Sequence, residues 1–354
     1  MIVTIRDIAR RSGVSVSTAS RALNKKSDVS KETRASVLAV ARELHYAVNL
    51  HARALTGATS KTLGFIIYDT STAFHATVAR SVEDVATAKG YSLIVCNAGG
   101  KPEAELRAHQ MLREKRVDGV LVNSVQSGPE PLRRLLAEGV PFVLLNRRLA
   151  DVECDYVLVD YQRGVDMATS HLLELGHRRI LIQTANPDHP PVHERVQGYR
   201  DALARHGVAF DERLVVTCTA DMGSGYDRIL GAMTNLRPRP TAILGYNDLW
   251  TIPVLKALHE LRLRIPDDVA IVGHSDLEFA QYLTPPLSSV AQQVYSMGQQ
   301  GANILFRKIT WSDDQPWSLQ QVCLEPRLVV RESSGEHVPV TDLPARVAEG
   351  MPVQ

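Results

Sequence analysis

The spacing of apolar residues changes character along the chain. In the first 24 residues Ile5, Ile8 and Ala9, and then Ala19, Ala22 and Leu23, recur at helical intervals, while Arg6, Arg10 and Arg11 face the other way. Ser12-Gly13 breaks the pattern, since glycine accepts the positive φ of a tight corner. Thr4 with Asp7 three residues on is a capping box, and Ser15 caps the second helix. Val29-Ser30-Lys31-Glu32-Thr33-Arg34 opens a third helix bearing Val37, Val40, Ala41 and Leu44. A very short helix follows at 49–57, capped by Asn49 and stopped by Gly57. From Leu63 onward, apolar strands alternate with amphipathic helices. Strands are expected at 63–68, 91–95, 117–122 and 140–145, with helices at 78–89, 102–116 and 132–138. A second series has strands at 179–183, 214–217, 242–246 and 269–272, and helices at 164–175, 195–206, 225–235 and 249–261. Such alternation predicts two doubly wound parallel sheets with a cleft between them, and small molecules bind at the carboxyl ends of such strands. The runs 288–290 and 319–329 are expected to return the chain to the first half, and 333–354 reads as a loose polar tail.

The outer face of the second helix carries Val16, Ser17, Thr18, Ser20, Arg21 and Asn24. These side chains are small or hydrogen-bonding, as a helix must be to enter a major groove. Charge supports that reading. Residues 1–59 hold ten Lys/Arg against four acids, a net +6, which leaves −5 on the remainder of a chain whose total is only +1. A basic module on an acidic body suits a polyanionic partner. Cys96, Cys154, Cys218 and Cys323 lie far apart, so neither a disulfide framework nor thiolate metal spacing is expected, and a reducing cytoplasm is. There is no signal-peptide pattern at the start and no apolar run of membrane-spanning length.

The chain resembles the lactose/galactose repressor family (LacI/GalR type) of bacterial transcriptional regulators. The resemblance is carried by T-I-R-D-I-A-R-R-S-G-V-S at 4–15, T-A-S-R-A-L-N at 18–24, V-S-K-E-T-R at 29–34, E-L-H-Y at 43–46 and N-L-H-A-R-A-L at 49–55. It continues in R-V-Q-G-Y at 195–199, P-T-A-I-L-G-Y-N-D at 240–248 and I-P-D-D-V-A-I-V-G-H-S-D at 265–276. It implies a helix-turn-helix headpiece (1–48), a hinge helix and linker (49–59), and a periplasmic-binding-protein-like effector core (61–332). In that core the N-subdomain would span about 61–160 plus 290–325, and the C-subdomain about 161–289. The hinge helix would fold on DNA, with Leu55 as a wedge in the minor groove. Val48 stands where relatives usually have proline before the hinge asparagine. The expected DNA-contacting set is Thr4, Arg6, Ser15, Val16, Ser17, Thr18, Ser20, Arg21, Asn24, Lys25, Tyr46, Asn49, Ala52 and Leu55. Arg21 is the expected guanine reader.

For the effector, the resemblance points to Arg195, to Asn146 where relatives have an acid or amide, and to Phe74 and His75 in the first strand–helix loop. Asn247 can both donate to and accept from a hydroxyl, and Arg147 can meet a charged group. Ser275 and Asp276 are included, although the usual G-Y-D or G-F-D is here Gly273-His274-Ser275, with Asp276 one place later. An aromatic residue common in relatives is Ala220. Fewer carboxylates and more arginine suit an acidic or phosphorylated sugar. Asp248 and Asp160 read as helix caps rather than ligands. His189 and His193 are expected in a loop rather than on metal, because Pro190-Pro191 separates them. Leu277 stands in place of the second glycine of G-x-S-x-G, so no nucleophile elbow is expected. Neither cofactor nor catalysis is expected. The partners implied are pseudo-palindromic operator DNA, a sugar-like effector and a second copy of the chain. The alternatives are a sugar-binding protein without DNA function and an α/β enzyme.

Overall fold

Among the described residues, three capped helices build the amino-terminal unit, residues 1–60. In α1 (Ile5–Arg11) the Thr4 amide and hydroxyl both donate to Asp7 Oδ2, at 3.0 and 2.7 Å. In α2 (Val16–Leu23) Ser15 Oγ accepts from the Thr18 amide at 3.1 Å. In α3 (Lys31–Glu43) Ser30 Oγ accepts from the Thr33 amide at 3.2 Å. Ile8, Ala9, Ala19, Ala22, Val29, Val37 and Ala41 form the core, and the small alanines let the helices approach closely. The computed structural model describes residues 3–23, 28–44, 46, 59–124, 127–149, 151–185, 190–218, 222–312 and 316–335. The expected short helix at 49–57 lies outside the described residues, as do Asn24, Lys25, Asn49, Ala52, Leu55, His189 and Ala220.

The second unit, residues 61–354, contains two six-stranded sheets of the same winding. The first comprises β1 (Thr62–Ile67), β2 (Ser92–Asn97), β3 (Gly119–Val122), β4 (Phe142–Leu145), β5 (Asp155–Val159) and β11 (Gln321–Leu324). The second comprises β6 (Ile180–Thr184), β7 (Val215–Thr217), β8 (Ala242–Leu244), β9 (Ala270–Ser275), β10 (Ser288–Ala291) and β12 (Arg327–Val329). Strand order is β11-β5-β4-β3-β1-β2 in one and β12-β10-β9-β8-β6-β7 in the other. Each therefore reverses direction of winding between its first and third strands, which opens a crevice at the carboxyl ends. Among the described residues, only β10–β12 is antiparallel.

Several expectations need correction. β5 was not anticipated; it is a true strand, with Val157 and Val159 in the core beside Leu145 and Leu324. Residues 288–290 do not return to the first half but lie in the second sheet, beside β9. The chain crosses after β10, packs the helix Val294–Ile309 on the first sheet, pairs β11 with β5, and crosses back into β12. The polar tail does not begin at Ser333. Ser333 and Ser334 are buried, and Ser333 Oγ donates to the Ile271 carbonyl at 2.7 Å and accepts from the Ser288 amide at 2.8 Å.

One buried polar knot holds the first sheet's outer edge. The Asp155 carboxylate is fully buried and accepts from Lys308 Nζ at 2.6 Å, Trp317 Nε1 at 2.9 Å and the Gln320 amide at 2.7 Å. Removing one partner of a buried charge pair leaves the other uncompensated. Asp155→Ala is therefore expected to lower unfolding free energy by about 3 kcal/mol, read as a shift of the urea midpoint at unchanged slope.

Candidate nucleic-acid interface and ligand cleft

The exposed face of α2 begins with a hydroxyl cluster: Ser15 Oγ lies 2.7 Å from Ser17 Oγ and 2.9 Å from Thr18 Oγ1. Val16 is 44 % exposed, which places an apolar contact where a thymine methyl could meet it. Thr4, Arg6, Ser15, Ser17 and Arg21 are exposed, while Thr18, Ser20 and Tyr46 are partly buried. Arg21 Nη2 is 2.7 Å from Asp28 Oδ2, an exposed ion pair. Exposed pairs of this kind are worth little, so the guanidinium can exchange Asp28 for a base edge or phosphate at small cost.

The cleft of the second unit is assembled from residues just past the strand ends. Asn146 follows β4 at φ 58°, a left-handed conformation that asparagine tolerates, and its Nδ2 donates to Tyr161 Oη at 2.8 Å across the two halves. Tyr161 begins the helix Tyr161–Glu174, capped by Asp160 Oδ1 accepting from the Arg163 amide at 2.8 Å, as expected of Asp160. Arg195, in the helix Pro190–Arg205, is 5 % exposed and lies between two aromatic rings, its Cζ 4.5 Å from the centroids of both Tyr161 and Tyr246. Its Nη1 donates to the Tyr246 carbonyl at 2.6 Å, and its Nη2 lies 3.4 Å from His274 Nδ1. His274 stacks on Tyr161 with centroids 5.7 Å apart. Gly164 makes room for Val290 and that imidazole, because a Cβ there would sit 3.0 Å from Val290 Cγ1 and 3.3 Å from His274 Nε2.

On the facing wall, Arg147 is buried and its Nη1 donates to the Asn146 carbonyl at 3.0 Å. His75 Nδ1 lies 2.6 Å from Thr72 Oγ1, and its ring meets Phe74 edge-on and stacks on Tyr68. Phe74 and His75 are not in a loop. The helix begins at Ala73, because Thr72 Oγ1 accepts the His75 amide at 3.3 Å and starts it five residues earlier than the apolar pattern indicated. The expected cap at Asp248 is also corrected. Asn247 Oδ1 caps the helix Asp248–Glu260 by accepting from the Trp250 amide at 2.8 Å. Asp248 is instead fully buried, accepting from Ser289 Oγ at 2.6 Å and from the Leu277 amide at 2.7 Å. Asp276 is drawn away from the other candidates into an ion pair with Arg331 at 2.8 Å. Ser275 Oγ donates to Gln292 Oε1 at 3.0 Å. His193 lies inside the helix Pro190–Arg205 rather than in a loop, since prolines are tolerated in a first helical turn. Among the described residues there is no cluster of three or more His, Cys, Asp or Glu placed to hold a metal, and no helix is long and apolar enough to cross a membrane. Sequence pattern alone does not mark Tyr161, Tyr246 and His274 as cleft residues. Tyr161 directly follows β5 and Asp160, and the apolar pattern does not reveal that strand.

A capped recognition-type helix joined to a two-sheet ligand core defines a ligand-responsive DNA-binding regulator. Residues 4–49 match the family of bacterial regulatory proteins of the lacI type, and residues 169–334 match the periplasmic binding protein-like domain. The ribose operon repressor of Escherichia coli (strain K12) is 32 % identical over 335 residues, covering 94 % of this chain and all of that protein. The transcriptional repressor PurR of Vibrio atlanticus is 31 % identical over 337 residues, covering 94 % of this chain and 98 % of that protein. A lac repressor dimer bound to operator and an anti-inducer superposes with a TM-score of 0.81 at 25 % identity, covering 94 % of this chain and 99 % of that one. A complex of the regulator CelR with cellobiose gives 0.69 at 30 % identity, with the same coverage. The chain belongs to the lacI family of bacterial regulators.

Burial pushes His75 down to about 4, against a hydrogen bond with Asn123 that opposes the shift, and Arg147 lowers it further. Burial likewise pushes His109 to about 4, and burial with Arg195 nearby holds His274 well below the usual imidazole range. These rings stay neutral in the folded chain while the unfolded chain takes up protons near pH 6.5. Their contribution to stability is therefore complete above about pH 6.5 and is lost as pH falls toward 4. Thermal unfolding midpoints are expected to drop between pH 7 and pH 5, with a smaller drop in His109→Gln.

Proposed function

We propose that the chain is a cytoplasmic, dimeric, sequence-specific repressor of a carbohydrate uptake or catabolic operon, released from or fixed on its operator by a small sugar-like effector. The observation that carries this reading is the outer face of α2, where Ser17, Thr18 and Arg21 stand on a capped helix within a unit of net +6 at 1–59. Relatives that are the ribose operon repressor and the transcriptional repressor PurR support it. Thr4, Arg6, Ser15, Val16, Ser17, Thr18, Ser20, Arg21 and Tyr46 would form the duplex contact, with Asn24, Lys25, Asn49, Ala52 and Leu55 completing it. Arg6, Arg10, Lys25, Lys31 and Arg34 would neutralise phosphates, and Arg21 would read guanine through its two-pronged fork. The effector would lie among Phe74, His75, Asn146, Arg147, Arg195, Asn247 and Ser275, with Asp276 acting through Arg331. The boundaries assigned are a headpiece to 48, a linker to 59 and a core from 61, with the core's two lobes exchanging strands near 160, 290 and 325. Binding, not catalysis, is the task assigned to this cleft.

Selection from random duplexes by the purified chain is expected to enrich a dyad-symmetric site, bound with an affinity that falls steeply with salt. No enrichment over random sequence would overturn the reading. Arg21→Ala is expected to cost about 1–3 kcal/mol on the selected site and to relax preference at one base pair per half-site, measured by fluorescence anisotropy on a set of single-position variants.

A further inference from the structure

The charge around Arg195 is out of balance. Arg195 is 5 % exposed, yet its hydrogen-bond and ring partners are the Tyr246 carbonyl, the His274 imidazole and two phenol rings, all of them neutral. Its Nε has no hydrogen-bond acceptor among the described residues. Rings and a carbonyl offset part of the cost of burying a cation, but a buried charge is normally matched by a counter-charge. Glu194, pushed upward by burial, lies 3.6 Å from Arg148 and is also acted on by Arg195 and Arg147, so one carboxylate answers three guanidiniums. Asp160 caps a helix, and Asp276 is paired with Arg331. Arg147 adds a second buried guanidinium, and both arginines act on the Tyr246 hydroxyl in the direction of ionisation, against the dominant effect of burial. The imidazoles of His75 and His274 stay neutral, so the positive charge resides on the arginines. Asn146 and Ser275 are neutral hydrogen-bonding groups at the strand ends, and Asn146 Oδ1 has no donor among the described residues.

We propose that the effector is a small polyhydroxylated anion, a sugar acid or sugar phosphate, whose oxyanion supplies the counter-charge to Arg195 while its hydroxyls meet Asn146 and Ser275. The proposal rests on the reading of this cleft as the effector site. A carboxylate suits it geometrically, because the planar guanidinium fork pairs with two coplanar oxygens. An uncharged sugar would leave three guanidiniums sharing the one carboxylate of Glu194.

Isothermal titration of the full-length chain with D-gluconate, D-glucuronate, D-glucose 6-phosphate and D-glucose tests the assignment. At least one anion is expected to bind tenfold or more tightly than D-glucose, and the three anions separate a carboxylate from a phosphate requirement. Affinity for the carboxylates should be unchanged between pH 6 and 8, since no imidazole of the cleft titrates there. Ser275→Asp, which places a carboxylate at this strand end, is expected to reduce anion affinity tenfold or more. Equal or tighter binding of D-glucose would overturn the anion assignment and leave the DNA-binding reading intact, as would failure of all three anions to bind at millimolar concentration. The DNA-binding reading itself fails separately, through the absence of an enriched duplex.

Discussion

Everything in the two-lobed unit depends on how the chain passes between its sheets. It crosses three times, after β5, after β10 and after β11, and Glu325 joins the crossings. Glu325 Oε1 accepts from Arg163 Nη1 at 2.9 Å, and its carbonyl accepts from Gln293 Nε2 at 2.8 Å. Arg163 lies just beyond the first crossing and Gln293, at φ 49°, in the second. Three short connections bound to one another permit rotation of one lobe against the other but resist sliding. A ligand gripping both lobes therefore has one soft coordinate to act on.

The cleft side chains are placed to act on it. Asn146 and Arg147 extend the end of a strand in one sheet, whereas Tyr161, Arg195, Tyr246 and His274 belong to the other half. The Asn146–Tyr161 hydrogen bond already spans the gap. An anion seated on Arg195 and hydrogen-bonded to Asn146 would bridge the same gap and set its width, and a change in width is what a paired headpiece would sense. Affinity for ligand and affinity for DNA are then one equilibrium read at two places.

What was legible in the sequence follows from how local its cause is. Ser15, Ser30 and Asp160 each cap a helix by accepting the amide three residues on, and Thr4 donates to Asp7 at the same spacing, so residue type and spacing suffice. The two-sheet architecture was legible because buried parallel strands are apolar throughout. β5 was missed because its burial depends on β11, more than 160 positions later, and its inward residues alternate with half-exposed Tyr156 and Leu158. Asn247 and Asp248 are both good caps by type. What separates them is Ser289 and the Leu277 amide, distant groups that claim the aspartate. The Arg195 cluster joins residues 28 to 113 positions apart, and no local pattern predicts that three rings and a guanidinium meet. The headpiece motif, by contrast, lies within one stretch of sequence.

The coupling between the two sites is the centre of this account, and a closed thermodynamic cycle measures it most directly. Operator affinity would be determined with and without the ligand identified by calorimetry, and ligand affinity with and without operator. Both ratios are expected to agree and to differ from one by a factor of roughly 5 to 150. Ratios of one in both directions would show that the cleft and the reading helix do not communicate, and would contradict that coupling.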